Sequence, residues 1–106
     1  MNYENIEVSR FATLMEEGDH VVLDVRSPQE LAEGSIPGHV MINFFDPDFR
    51  NEVEKLDKSK AYLIYCRSGN RSGQACHMMS AMGFDRLYNL IGGIGAWNAH
   101  SAMTNR

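Results

Sequence analysis

Residues 62–82 have the sequence YLIYCRSGNRSGQACHMMSAM. This segment indicates the fold more clearly than any other part of the chain. Its first four residues form a short, uncharged apolar run, which predicts a buried strand. Residues 72–82 contain no charged side chain, are rich in Ala and Met and stop before Gly83, so they predict a largely buried helix. A glycine-containing loop over residues 66–71 therefore joins a strand to a helix.

Further strands and helices are predicted on both sides of this segment. β-branched and apolar runs predict strands at residues 21–25, 40–43 and 86–90. Helical patterns fall between them, and they occupy residues 8–17, the segment after Ser27 and the segments after Pro47 and Gly93. Strands that alternate with helices predict an α/β fold with a mainly parallel, four- to five-stranded sheet and helices on both faces.

Length and composition restrict the class of protein. A chain of 106 residues with 43% apolar and 23% charged residues is expected to form one globular domain. Its net charge of −4 argues against nucleic-acid binding. The longest apolar runs are far too short to cross a membrane, and the first ten residues lack the apolar region of a signal peptide. We therefore expect a cytoplasmic protein with no membrane partner.

The charge is unevenly divided between the two halves of the chain. Residues 1–57 carry a net charge of −9, whereas residues 58–106 carry +5. Two interpretations are open at this point. The second half could hold a site that prefers anions, or the two halves could interleave in space so that their charges offset each other.

Neither the cysteines nor the histidines have the spacing of metal ligands. Cys66 and Cys76 are ten positions apart, and the four histidines lie scattered along the chain. No metal site is expected, and no other cofactor is indicated. Cys76 lies within the predicted uncharged helix, so we interpret it as a buried structural residue.

The loop at residues 66–71 combines three features that stabilise anions. Successive backbone N–H groups of a tight turn can point inward, the following helix contributes its N-terminus, and Arg67 and Arg71 add positive charge. A thiol in such a field has a lowered pKa and is a good nucleophile. The alternative is that Cys66 only ends the strand as a small apolar residue and that the arginines are solvated.

The loop resembles the active-site loop of the rhodanese (thiosulfate sulfurtransferase) family. Residues 23–30, LDVRSPQE, resemble its D-V-R-x-P-x-E block, and residues 34–43, GSIPGHVMIN, resemble its G-H-I-P-G-A-x-N block. Residues 90–97, LIGGIGAW, resemble its L-x-G-G-x-x-A-W block. Ser35 and His39 depart from the residues that are frequent there. The resemblance implies a single rhodanese-like domain over residues 1–106, with a core from about residue 6 to residue 100.

The resemblance also implies a two-step transfer of sulfur through a persulfide on Cys66. The donor would be a small sulfur anion such as thiosulfate or a persulfide, and the acceptor would be cyanide or a thiol. Substrate binding is implied for the loop residues Arg67, Ser68, Gly69, Asn70 and Arg71. Their N–H groups would surround the persulfide, and the two arginine side chains would hold the anionic donor. Asp24 and Arg26 match a buried ion pair that we interpret as structural support.

Three other functions stay open. The protein could carry persulfide sulfur between protein partners in a sulfur relay, or it could be a non-catalytic rhodanese-like binding module. A cysteine-dependent phosphatase or arsenate reductase is the third. Those enzymes place five residues between the cysteine and the arginine, whereas four residues separate Cys66 from Arg71. The shorter loop fits a sulfur atom better than a phosphoryl group.

Overall fold

The computed structural model describes residues 3–104, which form one five-stranded sheet. In chain order the strands are β1 (Tyr3–Ile6), β2 (His20–Asp24), β3 (Val40–Met41), β4 (Ala61–Tyr65) and β5 (Arg86–Leu90). Their order across the sheet is β1-β5-β4-β2-β3, and every pairing is parallel. The predicted fold class is confirmed. Residues 1, 2, 105 and 106, which the predicted domain includes, lie outside the described residues.

Four α-helices and one 3₁₀ helix connect the strands. The α-helices are α1 (Val8–Glu16), α2 (Phe49–Glu54), α3 (Asn70–Ala81) and α4 (Gly93–Thr104), and the 3₁₀ helix is Pro28–Glu33. The segment after Ser27 thus forms the tighter 3₁₀ type of helix. None of the helices within residues 3–104 is long and apolar enough to span a membrane.

Helices cover both faces of the sheet, as the sequence predicts. In β4, Tyr62 and Ile64 join an apolar cluster with residues of α2 and α3, whereas Leu63 and Tyr65 join a second cluster with residues of α1 and α4. This alternation follows from the two-residue period of a strand. Burial on both faces explains why β4 is apolar throughout. Because β4 is the middle strand, the loop that follows it begins from the best-buried part of the sheet.

Candidate active site

The loop between β4 and α3 places four hydrogen-bonding groups around the Cys66 sulfur. The Gly69 N–H donates to Sγ over 3.1 Å, and the Ser72 N–H and hydroxyl donate over 3.4 and 3.2 Å. The Ser68 N–H also stabilises the sulfur. Gly69 has a φ of +105°, and a Cβ there would lie 3.2 Å from the Leu90 carbonyl oxygen, so glycine suits this turn. Of the N–H groups that the sequence predicts to point inward, those of Ser68 and Gly69 contact the sulfur, and the N–H of Ser72 in the first turn of α3 is a third donor.

The surroundings of Cys66 favour its thiolate. Burial alone would raise the pKa of the thiol, but the hydrogen bonds from Ser72, Gly69 and Ser68 outweigh it and hold the pKa below its ordinary value. Cys66 has no exposed surface. The direction of the shift matches the sequence-based expectation, although its cause is the hydrogen bonds more than the nearby arginines.

Both arginines of the loop form ion pairs with carboxylates of the 3₁₀ helix. Arg71 donates from Nη1 and Nη2 to the two Glu30 oxygens, each over 2.7 Å, and these hydrogen bonds lower the pKa of Glu30 to about 2. Arg67 lies 3.4 Å from a Glu33 oxygen and is largely exposed. The acidic first half of the chain therefore offsets the basic second half at this loop, in accord with the interleaving interpretation.

Asp24 and Arg26 form the buried ion pair that the resemblance implies. Both residues have no exposed surface, and Arg26 Nη2 lies 2.8 Å from Asp24 Oδ2. The Tyr65 hydroxyl also donates to Asp24, and Arg26 donates to the carbonyl oxygens of Glu30 and Gly34. The pair thus fixes the 3₁₀ helix, whose Glu30 and Glu33 contact Arg71 and Arg67 of the cysteine segment.

The first turn of α4 packs against the backbone of the cysteine loop. The Ile94 N–H donates to the Cys66 carbonyl oxygen over 3.0 Å. Gly93 has a φ of +55°, and a Cβ at this position would collide with the carbonyl oxygens of Cys66 and Arg67. The glycine pair of residues 92–93 therefore allows the close approach of the two backbones.

Sequence reasoning missed two residues near the sulfur and placed Cys76 correctly. The sequence places Ser72 at the junction of the predicted loop and helix, with no role of its own, and Asn89 in a strand. The structure places the Ser72 hydroxyl between the Cys66 sulfur and the Asn89 side chain. The position of Ser72 directly after the loop was the available signal. Cys76 is buried among apolar residues as a free thiol, and burial raises its pKa to about 12.

Comparison with known proteins agrees with this geometry. The family model for the rhodanese-like domain matches residues 7–100. A sulfurtransferase of Allochromatium vinosum is 39% identical over 82 residues, which cover 77% of this chain and 75% of that protein. The thiosulfate sulfurtransferase GlpE of Coxiella burnetii is 31% identical over 100 residues, or 94% of this chain and 92% of that one.

A solved structure shows the same fold. The rhodanese-related protein of Thermoplasma volcanium superposes with a TM-score of 0.80 at 31% identity, and the match covers 92% of this chain and 93% of that one. The chain belongs to the rhodanese-like domain family.

Proposed function

We propose that the protein transfers sulfane sulfur from thiosulfate or a persulfide to cyanide or a thiol through a persulfide on Cys66. The Cys66 thiolate attacks the outer sulfur of thiosulfate, a new sulfur–sulfur bond forms, and the old one breaks with its electron pair leaving on sulfite. The acceptor then attacks the outer sulfur of the persulfide and restores the thiolate. The observation that carries the proposal is the set of hydrogen bonds to the Cys66 sulfur.

The remaining loop groups have roles that follow from their positions. The N–H groups of residues 67–71 would surround the outer sulfur of the persulfide, which is an anion at neutral pH and needs donors. The side chains of Arg67 and Arg71 would bind the charged end of the donor, in exchange with Glu33 and Glu30. The names of the sulfurtransferase relatives support this chemistry, and the short loop disfavours a phosphatase.

For the extent and the location of the protein, we propose what the sequence predicts. We infer one rhodanese-like domain with its core at residues 6–100, which the family match over residues 7–100 supports. The cytoplasmic location rests on composition alone.

Steady-state kinetics with thiosulfate and cyanide test the proposed function. A covalent persulfide intermediate predicts ping-pong kinetics, so that reciprocal plots at several cyanide concentrations are parallel. Intersecting plots would contradict a persulfide enzyme. A Cys66 persulfide that forms with thiosulfate but turns over only with a protein thiol would identify the protein as a carrier. Cys66→Ser is the inactive control, and it should remain folded because the hydroxyl is close in shape to the thiol.

A further inference from the structure

The Ser72 hydroxyl lies between two groups that can each accept its proton. Ser72 Oγ is 3.2 Å from Cys66 Sγ and 2.5 Å from Asn89 Oδ1. All three residues are buried. A hydroxyl has only one proton and donates one hydrogen bond at a time. The sulfur and the amide oxygen therefore cannot both receive it.

The orientation of the Asn89 amide is fixed by its other contacts. Asn89 Nδ2 donates to the Gly69 carbonyl oxygen over 3.1 Å and to Asn5 Oδ1 over 2.9 Å. A backbone carbonyl can only accept, so the nitrogen of the amide has to face Gly69. The oxygen of the amide consequently faces Ser72, where it can only accept.

We propose that Asn89 competes with the Cys66 sulfur for the Ser72 proton and acts, through Ser72, as a positioning residue for the nucleophile. While the sulfur is protonated, it donates to Ser72 and Ser72 donates to Asn89. When the sulfur ionises, the hydroxyl turns its proton to the sulfur and Asn89 Oδ1 loses its partner. When the persulfide forms, the negative charge moves to the outer sulfur and the hydroxyl returns to Asn89. This cycle rests on the proposed function.

Other charged and titratable groups surround the sulfur, but none of them contacts the Ser72 hydroxyl among the described hydrogen bonds. The two arginines near the cysteine and Arg26, which follows β2, are held by carboxylates, and Cys76 is kept neutral by its raised pKa. His77 lines a cleft of about 370 Å³ next to Asn89. These neighbours are Asp24, Arg26, Glu30, Glu33, Tyr65, Arg67, Arg71, Cys76 and His77. They stay the same in the variants below.

The pH dependence of Cys66 alkylation by iodoacetamide tests the competition. Mass spectrometry of the Cys66 peptide follows the rate, so Cys76 does not interfere. Ser72→Ala removes a hydrogen bond to the thiolate and should raise the midpoint of the profile by roughly one to two pH units. Asn89→Leu releases the hydroxyl and should lower the midpoint by up to about one unit. In the double variant, the midpoint should be almost the same as in Ser72→Ala alone.

Three further variants guard against indirect effects. Ser72→Thr keeps the hydroxyl, so its midpoint should equal that of the wild type. Asn5→Ala removes the hydrogen bond between Asn89 Nδ2 and Asn5 Oδ1 and should leave the midpoint unchanged. If Asn89→Leu fails to fold in a thermal unfolding assay, Asn89→Ala should shift the midpoint in the same direction by less, because water can enter from the cleft.

Several outcomes would overturn the inference. If Asn89→Leu raises the midpoint with and without the Ser72 hydroxyl, Asn89 only holds Gly69 in place. An unchanged midpoint in Asn89→Leu would show that the amide does not compete for the proton. Alkylation needs no sulfur donor, so the result is independent of the transfer assay. A protein without transfer activity can still show opposite shifts for the two variants, and an active one can fail to show them.

Discussion

At the scale of single residues, the Arg71 guanidinium is bound to Glu30 at the place where an anionic donor would need it. Two of its five N–H groups point at the Glu30 carboxylate in a bidentate pair. Both side chains are less than one-fifth exposed, so the pair is only weakly screened by solvent. Under the proposed function, thiosulfate would therefore bind in competition with an internal carboxylate.

Glu30→Gln is expected to improve the binding of thiosulfate. The amide has no charge to offset Arg71, so the KM for thiosulfate should fall roughly tenfold, the value of one charge-assisted hydrogen bond. The KM for an uncharged alkyl polysulfide should not change. Both constants are measured at the same pH and with the same acceptor.

The matched control for this prediction is Glu33→Gln. Its partner Arg67 is 70% exposed and its contact is longer, so a much smaller change in the KM for thiosulfate is expected. A higher KM for thiosulfate in Glu30→Gln would show that Glu30 holds Arg71 in position for the donor and does not compete with it. Equal changes for the charged and uncharged donors would indicate a change in the loop.

The candidate nucleophile can be chosen from the sequence, but not all of the groups that surround its sulfur can. Cys66 follows an apolar strand and precedes a glycine turn, and both are local signals. Asn89 is 17 positions beyond Ser72, and the packing of α3 against β5 brings the two side chains together. The Glu30 carboxylate accepts hydrogen bonds from Ser27 at the start of the 3₁₀ helix, but its contact with Arg71 spans 41 positions.

At the scale of the elements, the N-terminus of α4 packs directly against the backbone of the cysteine loop. Gly93→Ala should destabilise the protein by at least about 2 kcal/mol and abolish sulfur transfer. The added Cβ meets two backbone carbonyl oxygens, and the positive φ disfavours a side chain. Denaturant unfolding and the transfer assay measure the two effects.

Gly95→Ala is the control in the same helix. No described atom lies within 4 Å of a Cβ at Gly95, and its φ is not positive. Alanine in a helix interior is favoured over glycine by about 1 kcal/mol, so this variant should be equally or more stable and fully active. Normal activity in Gly93→Ala would contradict the role of α4 as a support for the loop.

The elements differ in how clearly the sequence predicts them. β4 and α3 were predicted because their burial leaves a continuous apolar run and an uncharged helix. β1 was not predicted, because it is an edge strand in which only Ile6 is buried, and its sequence YENI has little apolar signal. The segment after Ser27 has the start signals of a helix, and it forms a 3₁₀ helix in which the Glu30 carbonyl oxygen accepts a hydrogen bond from Arg26.

At the scale of the whole molecule, the parallel sheet brings the functional groups to one edge. The carboxyl ends of parallel strands meet on the same side, where ligands bind in open α/β folds. Asp24 ends β2, Cys66 follows β4, and Asn89 lies one residue before the end of β5. Three strands from distant parts of the chain thereby supply the ion pair, the nucleophile and its hydrogen-bonded support.

The same architecture separates the two thiols. Cys66 lies at this edge among hydrogen-bond donors, whereas Cys76 lies in the apolar cluster between α3 and the sheet. The lowered pKa of Cys66 and the raised pKa of Cys76 follow from these environments. We therefore expect an anionic persulfide at neutral pH on Cys66 and not on Cys76.

The most direct test of the account is the intact mass of the protein after treatment with thiosulfate and removal of the excess. We predict that the wild type and Cys76→Ser each gain the mass of one sulfur atom and that Cys66→Ser gains nothing, with thermal unfolding confirming that both variants are folded. Sulfur bound to a folded Cys66→Ser protein, or none bound to the wild type, would contradict the assignment of Cys66 as the nucleophile.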